Sequence, residues 1–224
     1  IEVRDGFYDG RERFFADFPV PGTDYRPLFL DASDNSLKSA PVSGSAECRY
    51  AATRTEGTTD TTSWNFTFDE VVDLIGHMKL KLWVSAEGAD DLDLHVAIKK
   101  FDKHGNEIYS PDFQHVEQGL ASSGWLRVSH RELDEEKSTP WQPWLKHERL
   151  LKLSDGEIVP CEVEILASAT GFKAGDQLQL IVQGYDIISV FNRFKHEDTV
   201  NAGTHVIYTG GEYDSHLLVP AVAV

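Results

Sequence analysis

The sequence is short of cysteine, of positive charge and of long apolar runs, and each shortage removes a class of protein. Two cysteines, Cys48 and Cys161, stand too far apart to make a disulfide framework. Cys161 alternates with Val163 and Ile165, which turns its sulfur toward a core as a small apolar group. A reducing, cytoplasmic location fits this usage better than secretion. Lys and Arg number 21 against 37 Asp and Glu, a formal net charge of -16. Such a surface repels phosphate backbones and anionic lipid, so neither nucleic acid nor a membrane is an expected partner. The longest apolar run, residues 217–224, is too short to span a bilayer and contains Pro220. The N-terminus is charged, so no signal peptide is expected in these residues. The chain opens at Ile1 without an initiator methionine, and it is expected to be a piece of something longer.

Catalytic signatures are missing as well. A serine hydrolase needs a nucleophile at a sharp elbow, a base in reach and an orienting acid, and no G-x-S-x-G occurs. Asp214, Ser215 and His216 are the right types, but neighbours on a strand point to opposite faces and cannot form a relay. The nine histidines are scattered, with no H-x-H and no H-E-x-x-H, so a zinc site is not expected. No glycine-rich phosphate loop opens a helix. The reading is of a chain with no catalytic residue, no metal and no cofactor. One acidic cluster bears on this: Asp90, Asp91 and Asp93 have the chemistry to ligate calcium. Turn capping by aspartate is the favoured alternative for them.

What is present is alternation. In residues 76–100, Met78, Leu80, Leu82, Val84 and Ala86 fall on one face, and after a turn at 87–90 so do Leu92, Leu94, Val96 and Ile98. A period of two places alternate side chains on opposite sides of a pleat, so these are two strands, each with one apolar face that needs covering. The rest of the chain reads the same way. Strands are expected at 1–4, 26–30, 47–54, 63–68 (with Trp64, Phe66 and Phe68 inward), 125–130, 157–167, 177–183, 205–209 and 215–219. Glycine-bearing turns at 103–106, 174–176 and 209–212 separate some of them. Residues 55–62 form a short loop of threonine, glycine and acid, residues 107–123 are irregular, and one helical turn is expected at 69–75. Hydrophobic residues at 41% exclude a disordered chain. The expectation is all-β: one jelly-roll β-sandwich domain over residues 1–224, galactose-binding-domain-like, with nine or ten strands and few short helices.

The remaining candidates are aromatic. Trp125, Trp141 and Trp144 lie on or beside a polar arm, residues 131–149, where a core is least expected. Exposed tryptophans mark interfaces or sugar platforms; buried ones would only pin the arm to the sandwich.

Five stretches in order carry a resemblance. Residues 76–108, GHMKLKLWVSAEGADDLDLHVAIKKFDKHGNEI, resemble the C-terminal domain of the cocaine-esterase, α-amino-acid ester hydrolase and X-prolyl dipeptidyl-peptidase (CocE/NonD) family. Residues 1–4 with 17–30, residues 124–131 (Gly-Trp-Leu-Arg and beyond), residues 153–183 and residues 214–220 resemble further parts of it. The resemblance implies an α/β-hydrolase catalytic domain elsewhere, carrying a Ser-Asp-His triad, with this jelly roll packed over it to shape its pocket. It implies no catalytic residue here, and a parent serine hydrolase acting on esters or Xaa-Pro amides. It also implies support for contacts in a homo-oligomer. The short 55–62 loop and the pair Gly175-Asp176, where the family has Gly-His, depart from its pattern and leave the substrate open. A free-standing carbohydrate-binding module of galactose-binding type is the alternative reading.

Overall fold

The computed structural model describes residues 1–54, 57, 60–110, 119–187 and 199–224. Residues 55, 56, 58 and 59 of the expected loop and residues 111–118 of the expected irregular stretch lie outside the described residues. The fold is the expected all-β sandwich of jelly-roll type. Among the described residues it has fourteen strands rather than nine or ten. The surplus includes β2 (Gly10–Glu12), β4 (Ser36–Lys38) and β9 (Glu107–Ile108), each too short to display a period.

Residues 76–100 supply β7 (Val72–Glu87) and β8 (Asp93–Phe101), but the two do not pair with each other. One edge of β7 is taken by β11 (Val159–Phe172). The other is shared by β14 (His216–Val222) and β13 (Thr204–Thr209). Instead β8 lies between β10 (Ser122–Arg127) and β12 (Gln177–Gln183). The two apolar faces thus cover one another from opposite leaves: Leu80, Leu82, Leu94 and Val96 are all fully buried in one cluster. The crossover bends at Gly88, whose φ of 80° suits glycine and whose N–H donates to Asp155 Oδ1 at 2.8 Å.

One leaf runs β10-β8-β12-β6 (Thr61–Thr67). In the other, the order is β3 (Asp24–Asp31), β14, β7, β11, β1 (Glu2–Arg4), β2. A single parallel bridge, Ser36 to Asn65, joins the leaves through β4, and β5 (Ala46–Ala51) hangs on β13. Closure on the far side depends on Gly124. A Cβ there would sit 2.0 Å from the Glu164 carbonyl oxygen, so only glycine lets β10 approach β11 this closely. The Ser122 hydroxyl donates to the Leu166 carbonyl across the same seam.

Two expectations about element limits are corrected. No helical turn occupies 69–75, because Val72–Ile75 extend β7, held by Phe172 on one side and Val222 near the other. The strand expected at 125–130 runs instead over Ser122–Arg127 and gives way to a 3-10 turn, Val128–His130. Cys161 is in the core, where burial pushes its thiol up to about 12. Cys48 is half-buried, and both thiols are free.

The core also holds a histidine. His205 is fully buried, with Nδ1 3.1 Å from the Tyr50 hydroxyl and Nε2 without a hydrogen-bond partner among the described residues. Burial pushes its pKa down to about 4, and the charge of Asp93 offsets only part of that. An unfolded imidazole titrates near 6.5, so below that pH the unfolded chain gains a proton that the folded chain refuses. Stability is expected to be full above about pH 6.5 and to fall by about 3 kcal/mol by about pH 4. Urea unfolding at pH 7.5 and pH 5 measures this slope. His205→Leu should flatten it, and an unchanged slope would assign the loss to other groups.

Candidate functional site

β8 and β10 lie side by side, with the arm 131–149 folded beside them and β11 behind. Between these elements is a cleft of about 580 Å³, lined among others by Trp125, Trp144, His130, His147, Arg127 and Glu164. Trp125 points outward from β10, directly opposite His95, because its neighbours Gly124 and Leu126 take the inner positions. It is 55% exposed. Trp144 comes from the arm and is 50% exposed. Its backbone is fixed on both sides: the N–H donates to Ser138 Oγ at 2.9 Å and the carbonyl accepts from Asp134 N–H at 2.7 Å. Lys137 Nζ stands 5.9 Å from its ring, within reach of a weak cation–π contact.

The cleft's charges are paired. Arg127 grips Asp93 through two hydrogen bonds, Nε to Oδ1 at 2.7 Å and Nη2 to Oδ2 at 3.0 Å. Burial pushes the Asp93 carboxyl up, but Arg127, the Val200 N–H and the Thr199 hydroxyl together hold it below the usual carboxylate range. His95 Nδ1 lies 3.2 Å from Asp186 Oδ1. Glu162 binds Lys79 at 3.0 Å through both oxygens, and Glu164 accepts from Gln142 Nε2 at 2.8 Å. At one end His130 and His147 meet, Nδ1 to Nδ1 at 3.1 Å.

Trp125 and Trp144 are therefore brought to one cleft, and Trp141 is not. Trp141 stacks on Tyr25 with ring centroids 4.9 Å apart and planes 12° from parallel, which fastens the arm to β3. The three aspartates also part company. Asp90 pairs with Lys152 at 3.1 Å. Asp91 is buried and caps the turn, accepting the N–H groups of Leu92 and Ser129 at 2.9 Å each, with Lys152 3.2 Å from its other oxygen. Asp93 is held by Arg127. Turn capping and ion pairing thus occupy all three, and among the described residues no three His, Cys, Asp or Glu are grouped to hold a metal.

Sequence reasoning missed the histidine pair and the Arg127–Asp93 clamp. Arg127 and Asp93 are direct cross-strand partners, and that register is not legible in one sequence. His130 and His147 meet only because the arm folds back. Chemically the cleft offers two indole faces and paired ions; neither serine nor cysteine is among its described lining residues. With these groups it can grip a surface. Ser215 is similarly committed, donating to the Tyr208 carbonyl at 2.6 Å and accepting from Trp83 N–H at 3.0 Å.

Comparison with known proteins places the chain. A CocE/NonD family hydrolase from Staphylococcus aureus is 48% identical, with a TM-score of 0.94 over 99% of this chain and 41% of that one. An aminopeptidase from the marine sediment archaeon Thaumarchaeota archaeon shares the fold at 14% identity and a TM-score of 0.69, over 99% of this chain and 40% of that one. An α-amino acid ester hydrolase shares it at 15% identity and a TM-score of 0.60, over 88% and 36% of the two chains. This chain spans about two fifths of the length of the staphylococcal hydrolase. No curated protein matches it significantly. The X-Pro dipeptidyl-peptidase C-terminal non-catalytic domain family matches residues 1–218, and the chain belongs to that family.

Proposed function

We propose that this chain is the non-catalytic C-terminal domain of a serine hydrolase of X-prolyl dipeptidyl-peptidase or acyl-esterase type, covering and shaping the active site of an α/β-hydrolase catalytic domain. The observation that carries the proposal is coverage. A chain matched over 99% of its length fills only 41% of a 48%-identical hydrolase, which leaves room for a catalytic domain beside it. The cleft supports it too, since half-exposed Trp125 and Trp144 beside paired charges have the make-up of an interface centre. In this proposal the cleft faces the catalytic domain or a neighbouring subunit. Cytoplasmic residence, which suits two free thiols, belongs to the same proposal.

The test separates Trp144 from Trp141. Trp144→Ala should leave the stability of this chain within about 0.5 kcal/mol, as surface changes do. In the full-length hydrolase it should weaken domain packing by about 2 kcal/mol or more and alter turnover. Trp141→Ala should destabilise this chain itself, because it removes the stack on Tyr25. Thermal melts of both variants in both contexts, with turnover, give the comparison. The two half-exposed indoles also suit a sugar platform, the carbohydrate-binding alternative. Titration with galactosides or glucans is expected to leave tryptophan fluorescence unchanged. Saturable quenching that Trp144→Ala abolishes would replace the hydrolase reading with that alternative.

A further inference from the structure

We infer that His130 and His147, at one end of the cleft, are the two protein ligands of an exchangeable transition-metal site. It takes copper(II) in preference to other divalent ions and leaves the remaining positions to water. This inference goes beyond the function proposed above and does not depend on it.

The pair is set in place by the backbone. His130 closes the 3-10 turn Val128–His130, and His147 lies on the returning limb of the arm. The two limbs are laced together antiparallel. Leu151 N–H donates to the Ser129 carbonyl at 2.7 Å, Lys146 N–H to the Glu132 carbonyl at 3.0 Å, and Leu133 bridges to Leu145. Side chains fasten the same lacing: Arg131 reaches the Leu151 carbonyl, and Arg149 grips both oxygens of Glu132 at 2.6 and 2.8 Å. Within this frame His147 has a φ of 55°. Residues with a side chain seldom adopt that left-handed conformation, and it persists where the surroundings impose it. The imidazole of His147 is thereby aimed at that of His130.

The spacing suits a shared ion. The two Nδ1 atoms are 3.1 Å apart while the ring centroids are 5.0 Å apart, so each ring presents its Nδ1 edge to the other. Nitrogens bound to one metal at about 2.0–2.1 Å stand about 2.9 Å apart at a right angle and about 3.3 Å apart at the tetrahedral angle. The observed gap lies between these limits, so small ring rotations bring both lone pairs onto one ion. Each neutral imidazole keeps its proton on Nε2 in that state and offers Nδ1 to the metal. Without an ion the same gap is spanned by one N–H···N hydrogen bond. The arm does not need that bond, because the lacing already closes it.

The donor set chooses the metal. Imidazole suits zinc, nickel and copper, and affinity at a given nitrogen site peaks at copper(II), whose tetragonal geometry accepts two nitrogens near a right angle. A structural zinc site would need four protein ligands, and among the described residues no third His, Cys, Asp or Glu joins the pair. Glu132 is taken up by Arg149 and Lys146. The ion is therefore held by two residues and exchanges with solvent. A net charge of -16 raises the concentration of cations about the chain.

The experiment is titration of copper(II) into this chain carrying Cys48→Ser, which removes the half-buried thiol, followed by calorimetry and electron paramagnetic resonance. One ion per chain is expected, with hyperfine structure from two imidazole nitrogens. His147→Asn keeps a residue that tolerates the left-handed backbone, and His130→Gln alters the other limb. Each should weaken copper binding about tenfold or more, and the double variant should lose little beyond that, because one ion is shared. His104→Ala, in an exposed turn, should bind copper as the parent does. A spectrum with one nitrogen, or affinity unchanged in either His130→Gln or His147→Asn, would overturn the inference. So would loss of binding in His104→Ala. If either pair variant melted well below the parent without copper, the two rings would be a structural tie, and the inference would likewise be overturned.

Discussion

Replacing Leu82 by aspartate is expected to abolish folding. Leu82 lies in the middle of β7, opposite Cys161 of β11, and is fully buried between the leaves. Truncating a buried leucine alone costs about 2–5 kcal/mol. The incoming carboxylate has no cation among its immediate neighbours Leu80, Val84 and Val163, which are apolar and buried, so a further several kcal/mol is added. The total rivals the whole stability of a domain, about 5–15 kcal/mol. Its neighbour gives the contrast. Lys81 points outward to Asp214 at 2.7 Å with both groups partly exposed, and such a bridge is worth about 1 kcal/mol at most. Lys81→Ala should therefore melt cooperatively within a few degrees of the parent, while Leu82→Asp should be insoluble or show no transition by circular dichroism. A soluble, cooperatively melting Leu82→Asp chain would mean that the face assignment of β7 is inverted.

That contrast was legible in the sequence because a period of two is a statement about faces. Every residue placed inward between Met78 and Ile98 is buried. Partners are another matter. The alternation of 78–86 and 92–98 is the same whether the strands pair edge to edge or face each other across a core, and the structure has them facing. The pattern also fails where a polar group is buried for a local reason. Asp91 reads as outward and is buried because its carboxylate caps Leu92 and Ser129. Asp73 falls where a helical turn was expected and is buried because two arginines from β2 and its continuation reach it. Of the site, the indoles could be found as aromatics on a polar arm. The stacking of Trp141 on Tyr25, the His130–His147 contact and the close approach at Gly124 depend on long-range register, which single-sequence periodicity does not carry.

Asp73→Ala is expected to be the most costly change outside the hydrophobic core. The carboxylate is fully buried, while the side chains of Arg11 and Arg13 are 35% and 22% exposed. Removing the anion leaves Arg13 without its carboxylate and Arg11 with Asp5 alone, 3.3 Å from its Nε, and breaking such a buried pair commonly costs about 3–5 kcal/mol. Because both arginines keep some access to water, the lower end, about 3 kcal/mol, is expected here. The loss should also be localised. Among the described residues β2 pairs with β1 alone, and Arg11 and Arg13 tie it and its continuation to β7. Backbone amides of β1 and β2 should therefore exchange with deuterium faster than those of β8 and β12, which the pair does not touch. Replacing Asp73 and both arginines by apolar residues of similar volume, Asp73→Leu with Arg11→Met and Arg13→Met, should recover part of the loss, since the penalty comes from uncompensated charge and only the partly exposed Asp5 is left without its partner. Urea unfolding of the single and triple variants measures both effects. A loss below about 0.5 kcal/mol for Asp73→Ala would show the cluster to be solvated like an ordinary surface bridge.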